Sequence, residues 1–91
     1  MAFTTRTNGP RLDGNKPTIT LRNQTTESLS VSVSFYGESG PCVEYFIGQA
    51  SGPLLGHEEL IFTPVEPTAV ELLNKIQSIS EDVTETVHHR P

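Results

Sequence analysis

Tryptophan is absent from this chain, and cysteine occurs once, at Cys42. A single cysteine excludes an internal disulfide framework. We expect it as a buried thiol within a strand, or as a link between two chains. No apolar run approaches the length of a membrane span, and "MAFTTRTNGP" holds no apolar stretch of a signal peptide. Both point to a soluble chain made in the cytoplasm. A later extracellular or particle location stays compatible with that. Charge is scarce as well, at 19% of residues, so the sequence lacks the composition of a disordered segment. Apolar residues make up only 34% of 91. That suits a single small domain with a lean core, short of burial unless a partner supplies more.

Basic residues are few and unevenly placed. Residues 1–22 carry four (Arg6, Arg11, Lys16 and Arg22) against Asp13, a net of +3. Residues 23–91 carry Lys75 and Arg90 against ten acids, a net of −8. An acidic body repels phosphate, which argues against nucleic acid as a partner. The asymmetry fits a basic N-terminal segment lying on an acidic surface, its own or a neighbour's.

What the sequence has in abundance is alternation. In "ESLSVSVSFYG", Leu29, Val31, Val33 and Phe35 alternate with Ser28, Ser30, Ser32 and Ser34. This is a strand with one apolar face and one face of hydroxyls. Thr18 to Arg22 makes a shorter strand with Ile19 and Leu21 on one face. The turn-like Asn23-Gln24-Thr25-Thr26 predicts a hairpin between the two. Asn23-Gln24-Thr25 also matches the glycosylation pattern, which carries little weight without a secretory signal. After the breaker-rich Gly37 to Pro41, "CVEYFIGQA" carries bulk on both faces, and "ELIFTP" places Leu60 and Phe62 inward with Ile61 outward. Four strands joined by short connections predict an antiparallel sheet or sandwich.

The two ends read differently. Residues 1–17 show no period, hold several turn and breaker signals, and carry only Phe3 and Leu12 as large apolar residues. They are expected as an extended arm ahead of a β domain at 18–67. Beyond Pro67, Thr68-Ala69-Val70-Glu71 fits a capping box. Ala69, Leu72, Leu73, Ile76, Ile79, Val83 and Val87 then recur at helical spacing. They predict an amphipathic helix over 68–88, followed by a tail at 89–91. It would pack on the sheet or against a copy of itself. "SISEDVTETV" is rich in β-branched residues, and its second reading is a fifth strand with Ile79, Glu81 and Val83 on one side. The fold class expected is therefore mainly β with a C-terminal helix, α+β.

Chemistry is hard to find. Cys42 and His57 lie fifteen residues apart with no motif around either. No serine-hydrolase or phosphate-loop motif occurs. Glu85, His88 and His89 have the i, i+3 and i, i+4 spacing of carboxylate and imidazole ligands, but metal bundles of that kind need several such helices. No catalytic residue, metal ligand or cofactor is expected, and no membrane or nucleic acid as partner. The expected role is that of a non-enzymatic structural subunit assembling with itself into a ring, filament or particle. Its interface is drawn from the arm (Phe3, Arg6, Arg11, Leu12 and Lys16), the hydroxyl face (Ser30, Ser32 and Ser34), Phe46 on the strand with bulk on both faces, the outward Ile61, and the stripe Ile76, Ile79 and Val83. The alternative is a small monomeric or dimeric module binding another protein by its sheet face or helix.

Overall fold

The computed structural model describes residues 4–87. The chain is mainly β, with six strands: β1 (Thr4–Asp13), β2 (Lys16–Asn23), β3 (Leu29–Glu38), β4 (Glu44–Leu54), β5 (Glu59–Phe62) and β6 (Ser78–Val87). One helical turn, α1 (Val70–Leu73), precedes β6. The strands form two antiparallel three-stranded sheets, ordered β1-β2-β5 and β4-β3-β6.

The core lies where period-2 patterning from both sheets converges. Ile19, Leu21 and Phe62 come from the first sheet; Leu29, Val31, Val33, Phe35 and Leu54 come from the second. The alternation in β3 is realised residue by residue. Its apolar set is buried, Ser32 is exposed, and Ser30 and Ser34 are partly exposed on the opposite face.

The arm expected at residues 1–17 is corrected: residues 4–13 are a strand, paired with β2 from Thr4↔Asn23 to Asp13↔Lys16. A two-residue turn joins them, with Gly14 at φ 65°, the left-handed value its first position requires. The register slips between Thr7 and Arg11, where Gly9 (φ 67°) and Pro10 form a bulge opposite Ile19. No apolar period marked this strand because its inward positions meet carboxylates rather than core. Thr4 Oγ1 donates to Glu85, and Arg6 forms an ion pair with Glu81. These contacts close the two sheets along the β1–β6 side.

The helix expected over 68–88 is corrected as well. It lasts one turn, and residues 78–87 form β6, in unbroken register with β3 from Leu29↔Val87 to Glu38↔Ser78. The spacing of four between Ile79, Val83 and Val87 fits a helix, but it is also an even number, so the same residues share one face of a strand. The β-branched content then favours the strand. The capping box fails too: α1 starts at Ala69 without a side-chain cap. Thr68 is instead tied to the β1–β2 turn, its N–H donating to the Asn15 carbonyl at 2.6 Å. Its hydroxyl is buried with no hydrogen-bond partner. Replacing Thr68 by Val therefore removes an unsatisfied polar group. The expected result is a gain of about 1 kcal/mol in chemical denaturation, while Thr68→Ser gains nothing. A loss of stability in Thr68→Val would show that the hydroxyl is engaged.

The hairpin expected between residues 18–22 and 28–36 is not formed; β2 and β3 lie in different sheets. The diversion is organised by Asn23, which is fully buried. Its Nδ2 donates to the carbonyls of Glu27 (2.7 Å), Leu54 (3.1 Å) and Leu55 (3.1 Å). Its Oδ1 accepts from Thr25 N–H (2.9 Å) and Thr25 Oγ1 (2.8 Å). The Asn-Gln-Thr triplet is thus an Asx turn with its amide nitrogen buried and bonded. Gly56 completes the knot, since a Cβ there would fall 2.6 Å from the Thr26 carbonyl oxygen.

Candidate interface

Partition of charge follows the partition into sheets. β1, β2 and β5 hold four basic residues (Arg6, Arg11, Lys16 and Arg22) against Asp13 and Glu59, a net of +2. β3, β4 and β6 hold five acids (Glu38, Glu44, Glu81, Asp82 and Glu85) and no base. The N-terminal basic excess of the sequence becomes one sheet of the molecule and the acids the other, with Arg6 and Glu81 meeting between them.

Pairing register and alternate burial define the outer face of the acidic sheet. Successive cross-strand rows run Pro53–Ser30–Thr86, Ser51–Ser32–Thr84, Gln49–Ser34–Asp82, Phe46–Tyr36–Ser80 and Glu44–Glu38–Ser78. Gln49 Nε2 donates to Ser34 Oγ at 3.1 Å, and Ser78 Oγ donates to Glu38. One end is therefore a field of hydroxyls, with a shallow depression of about 330 Å³ beside Ser30, Ser51 and Thr84. Further along sit the rings of Tyr36 and Phe46, 5.8 Å apart and edge to face. Phe46 is 57% exposed. Carboxylates occupy the rows on both sides of these rings.

The outer face of the other sheet runs Thr5–Arg22–Glu59, Thr7–Thr20–Ile61, Arg11–Thr18 and Asp13–Lys16. Ile61 is its one apolar side chain and is 68% exposed. Arg22 lies one row to one side of it and Arg11 lies beyond it on the other.

The residues singled out from the sequence are thus divided. Arg11, Lys16 and Ile61 lie on one outer face; Ser30, Ser32, Ser34 and Phe46 lie on the other. Arg6 is engaged by Glu81 of its own chain. Leu12 sits opposite Pro17 at the end of the hairpin, 42% exposed. The stripe Ile76, Ile79 and Val83 is no exposed helix face. Val83 packs against the core, Ile79 pairs with Gly37, and Ile76 covers Gly37 so closely that a Cβ there would meet it at 2.6 Å. Phe3, His88 and His89 lie outside the described residues, as does the tail at 89–91. Tyr36, Glu38, Glu44, Asp82 and Arg22 were not singled out. Tyr36 and Glu38 continue the phase of Ser30, Ser32 and Ser34, so that signal was present. The place of Asp82 needed the strand identity of β6.

Three of the four sheet edges, those of β1, β4 and β5, offer less than the faces, whereas β6 is a ten-residue edge without proline or bulge. The β1 edge is bulged at Gly9-Pro10, and β4 carries Pro53. Pro64 lies against Gly48 of β4, where a Cβ would fall 2.8 Å from the proline. β5 is only four residues long.

Among the described residues, reactive side chains are not assembled. Cys42, expected in a strand, is exposed in the tight turn before β4 at φ 64°, closed by Val43 N–H to the Gly40 carbonyl. His57 sits beyond the other end of that 11-residue strand, so the two lie roughly 30–35 Å apart. Among the described residues no three His, Cys, Asp or Glu side chains group to hold a metal ion, and no helix is long and apolar enough to cross a membrane. Comparison with protein-family models, curated proteins and solved structures gives no match.

Proposed function

We propose that this chain is a non-enzymatic structural subunit that assembles with copies of itself. The observation that carries the reading is the division of charge between the two outer faces, with Glu38, Glu44 and Asp82 and no base on one, and Arg11, Lys16 and Arg22 against Asp13 and Glu59 on the other. Complementary outer faces on the two sheets favour contact between copies over a solitary state. A core of eight buried apolar residues among those described supports the same reading, because burial gained on association adds to a small interior. The arm takes part in this mechanism as the strand β1 and not as a free extension, with Arg11 on the outer face of its sheet. Its strand residues are folded into their own sheet, and its first arginine is satisfied at home. Two different faces meeting head to tail generate a ring if the rotation closes and a filament if it does not.

Sedimentation or light scattering across a wide concentration range tests the proposal. The expected result is a mass that climbs from 10.0 kDa in multiples of the chain and falls as salt is raised. A single 10.0 kDa species at the highest concentration and lowest salt would overturn it. That outcome would favour a monomeric module binding another protein.

A further inference from the structure

We propose that the assembling contact places the outer face of the β1-β2-β5 sheet of one copy on the outer face of the β4-β3-β6 sheet of the next, with Ile61 seated on the Tyr36–Phe46 ring pair. This rests on the self-assembly reading and specifies its geometry.

The two faces match in three respects. Each bears an exposed apolar anchor within a polar sheet face: Ile61 on one, the edge-to-face rings of Tyr36 and Phe46 on the other. Anchors of this kind, held on stiff strands, lose little conformational freedom on docking. The outer face around Ile61 carries Arg11, Lys16 and Arg22 against Asp13 and Glu59, with Glu59 in the row of Arg22, whereas the face around the rings carries acids and no base. Arg22 and Arg11 bracket Ile61 along the sheet, whereas Glu38 and Glu44 on one side and Asp82 on the other bracket the rings. Finally, the ground around both anchors is small hydroxyl side chains: Thr7, Thr18 and Thr20 against Ser34 and Ser80. Such surfaces are flat enough for the anchors to meet, and their hydroxyls donate and accept interchangeably. A contact of one sheet with its own kind would bring like charges together on the acidic face and leave Ile61 without the rings. A second copy presented the other way round satisfies both.

The experiment uses the full chain and two variants, each blocking one face. Ile61→Asp spoils the basic face and leaves the acidic one intact; Phe46→Asp does the reverse. Both positions point outward, so both variants are expected to unfold at the wild-type temperature. Ile61→Ser and Phe46→Ser serve in their place if either aspartate variant fails to fold. Each variant alone should lose self-association about thirtyfold or more. Mixed, they should form a 1:1 dimer that grows no further, because one intact basic face meets one intact acidic face. Arg22→Glu should weaken wild-type association about tenfold, with most of that difference vanishing in high salt. If the wild type assembles and either face variant assembles equally well, the proposed contact is wrong while self-assembly stands. If both variants are monomeric and remain so when mixed, the head-to-tail pairing is wrong. If the wild type never associates, this contact and the function it rests on fall together.

Discussion

Val33→Asp is expected to leave no cooperatively folded domain. Val33 is fully buried at the centre of β3, with Ala50 and Val83 as its cross-strand neighbours. The substitution forfeits about 2 kcal/mol of apolar burial. It also forces either a carboxylate without a partner into the core or the protonation needed to avoid that, several kcal/mol more. A chain of this size has about 5–14 kcal/mol of stability in total. Circular dichroism during heating should show no sigmoidal transition. The adjacent Ser32→Asp, exposed on the other face, should melt within a few degrees of the wild type. Because it adds charge to the acidic face, it also reports on that face: a folded monomer that no longer assembles would mark the hydroxyl field as part of the contact. Retention of a normal melt by Val33→Asp would mean that the phase of β3 is inverted.

The second large effect is expected from Asn23→Ala. The amide contributes two N–H groups to three backbone carbonyls, one proton being shared, and accepts two bonds from Thr25. The bond to the Leu54 carbonyl at the end of β4 is buried, and those to the Glu27 and Leu55 carbonyls are part-buried. Each acceptor left unsatisfied costs about 1–3 kcal/mol, so a total loss of about 3–5 kcal/mol is expected. Asn23→Asp should be destabilising too. It keeps the acceptor toward Thr25 but turns a second oxygen toward carbonyls that need a donor. Urea denaturation measures both variants, with the midpoint lowered and the slope unchanged. A cost below about 1 kcal/mol for Asn23→Ala would show that the side chain is not what holds this crossing.

These two positions also mark how far the sequence could be read. The phase of β3, the inward set Ile19 and Leu21, and the outward Ile61 were all legible, because each strand has one face on the core and one in solvent. Asn23 was legible only as a turn residue. Its role in sending β2 and β3 to different sheets depends on the carbonyls of Leu54 and Leu55, some thirty residues away. β1 was illegible for another reason: a strand whose inward side chains are Thr4 and Arg6 has no apolar period to find. Residues 78–87 were ambiguous because a spacing of four serves a helix and a strand alike. The candidate interface inherits these limits. Its residues on β3, β4 and β5 could be chosen by phase, whereas the acids of β6 could be placed only once that segment was known to be extended.

The Arg6–Glu81 ion pair has a consequence for how the molecule comes apart. Along most of its length the two layers adhere through hydrocarbon, and added salt leaves that adhesion intact or tightens it. Along the β1–β6 side they adhere through a charge pair whose arginine is half in water and whose glutamate is shielded, so dissolved ions weaken it, though less than they would a fully exposed pair. Ionic strength therefore acts with opposite sign on two parts of one small body. The expected result is that raised salt speeds hydrogen exchange of the β1 amides relative to those of β3, and equal rates at low and high salt would overturn it.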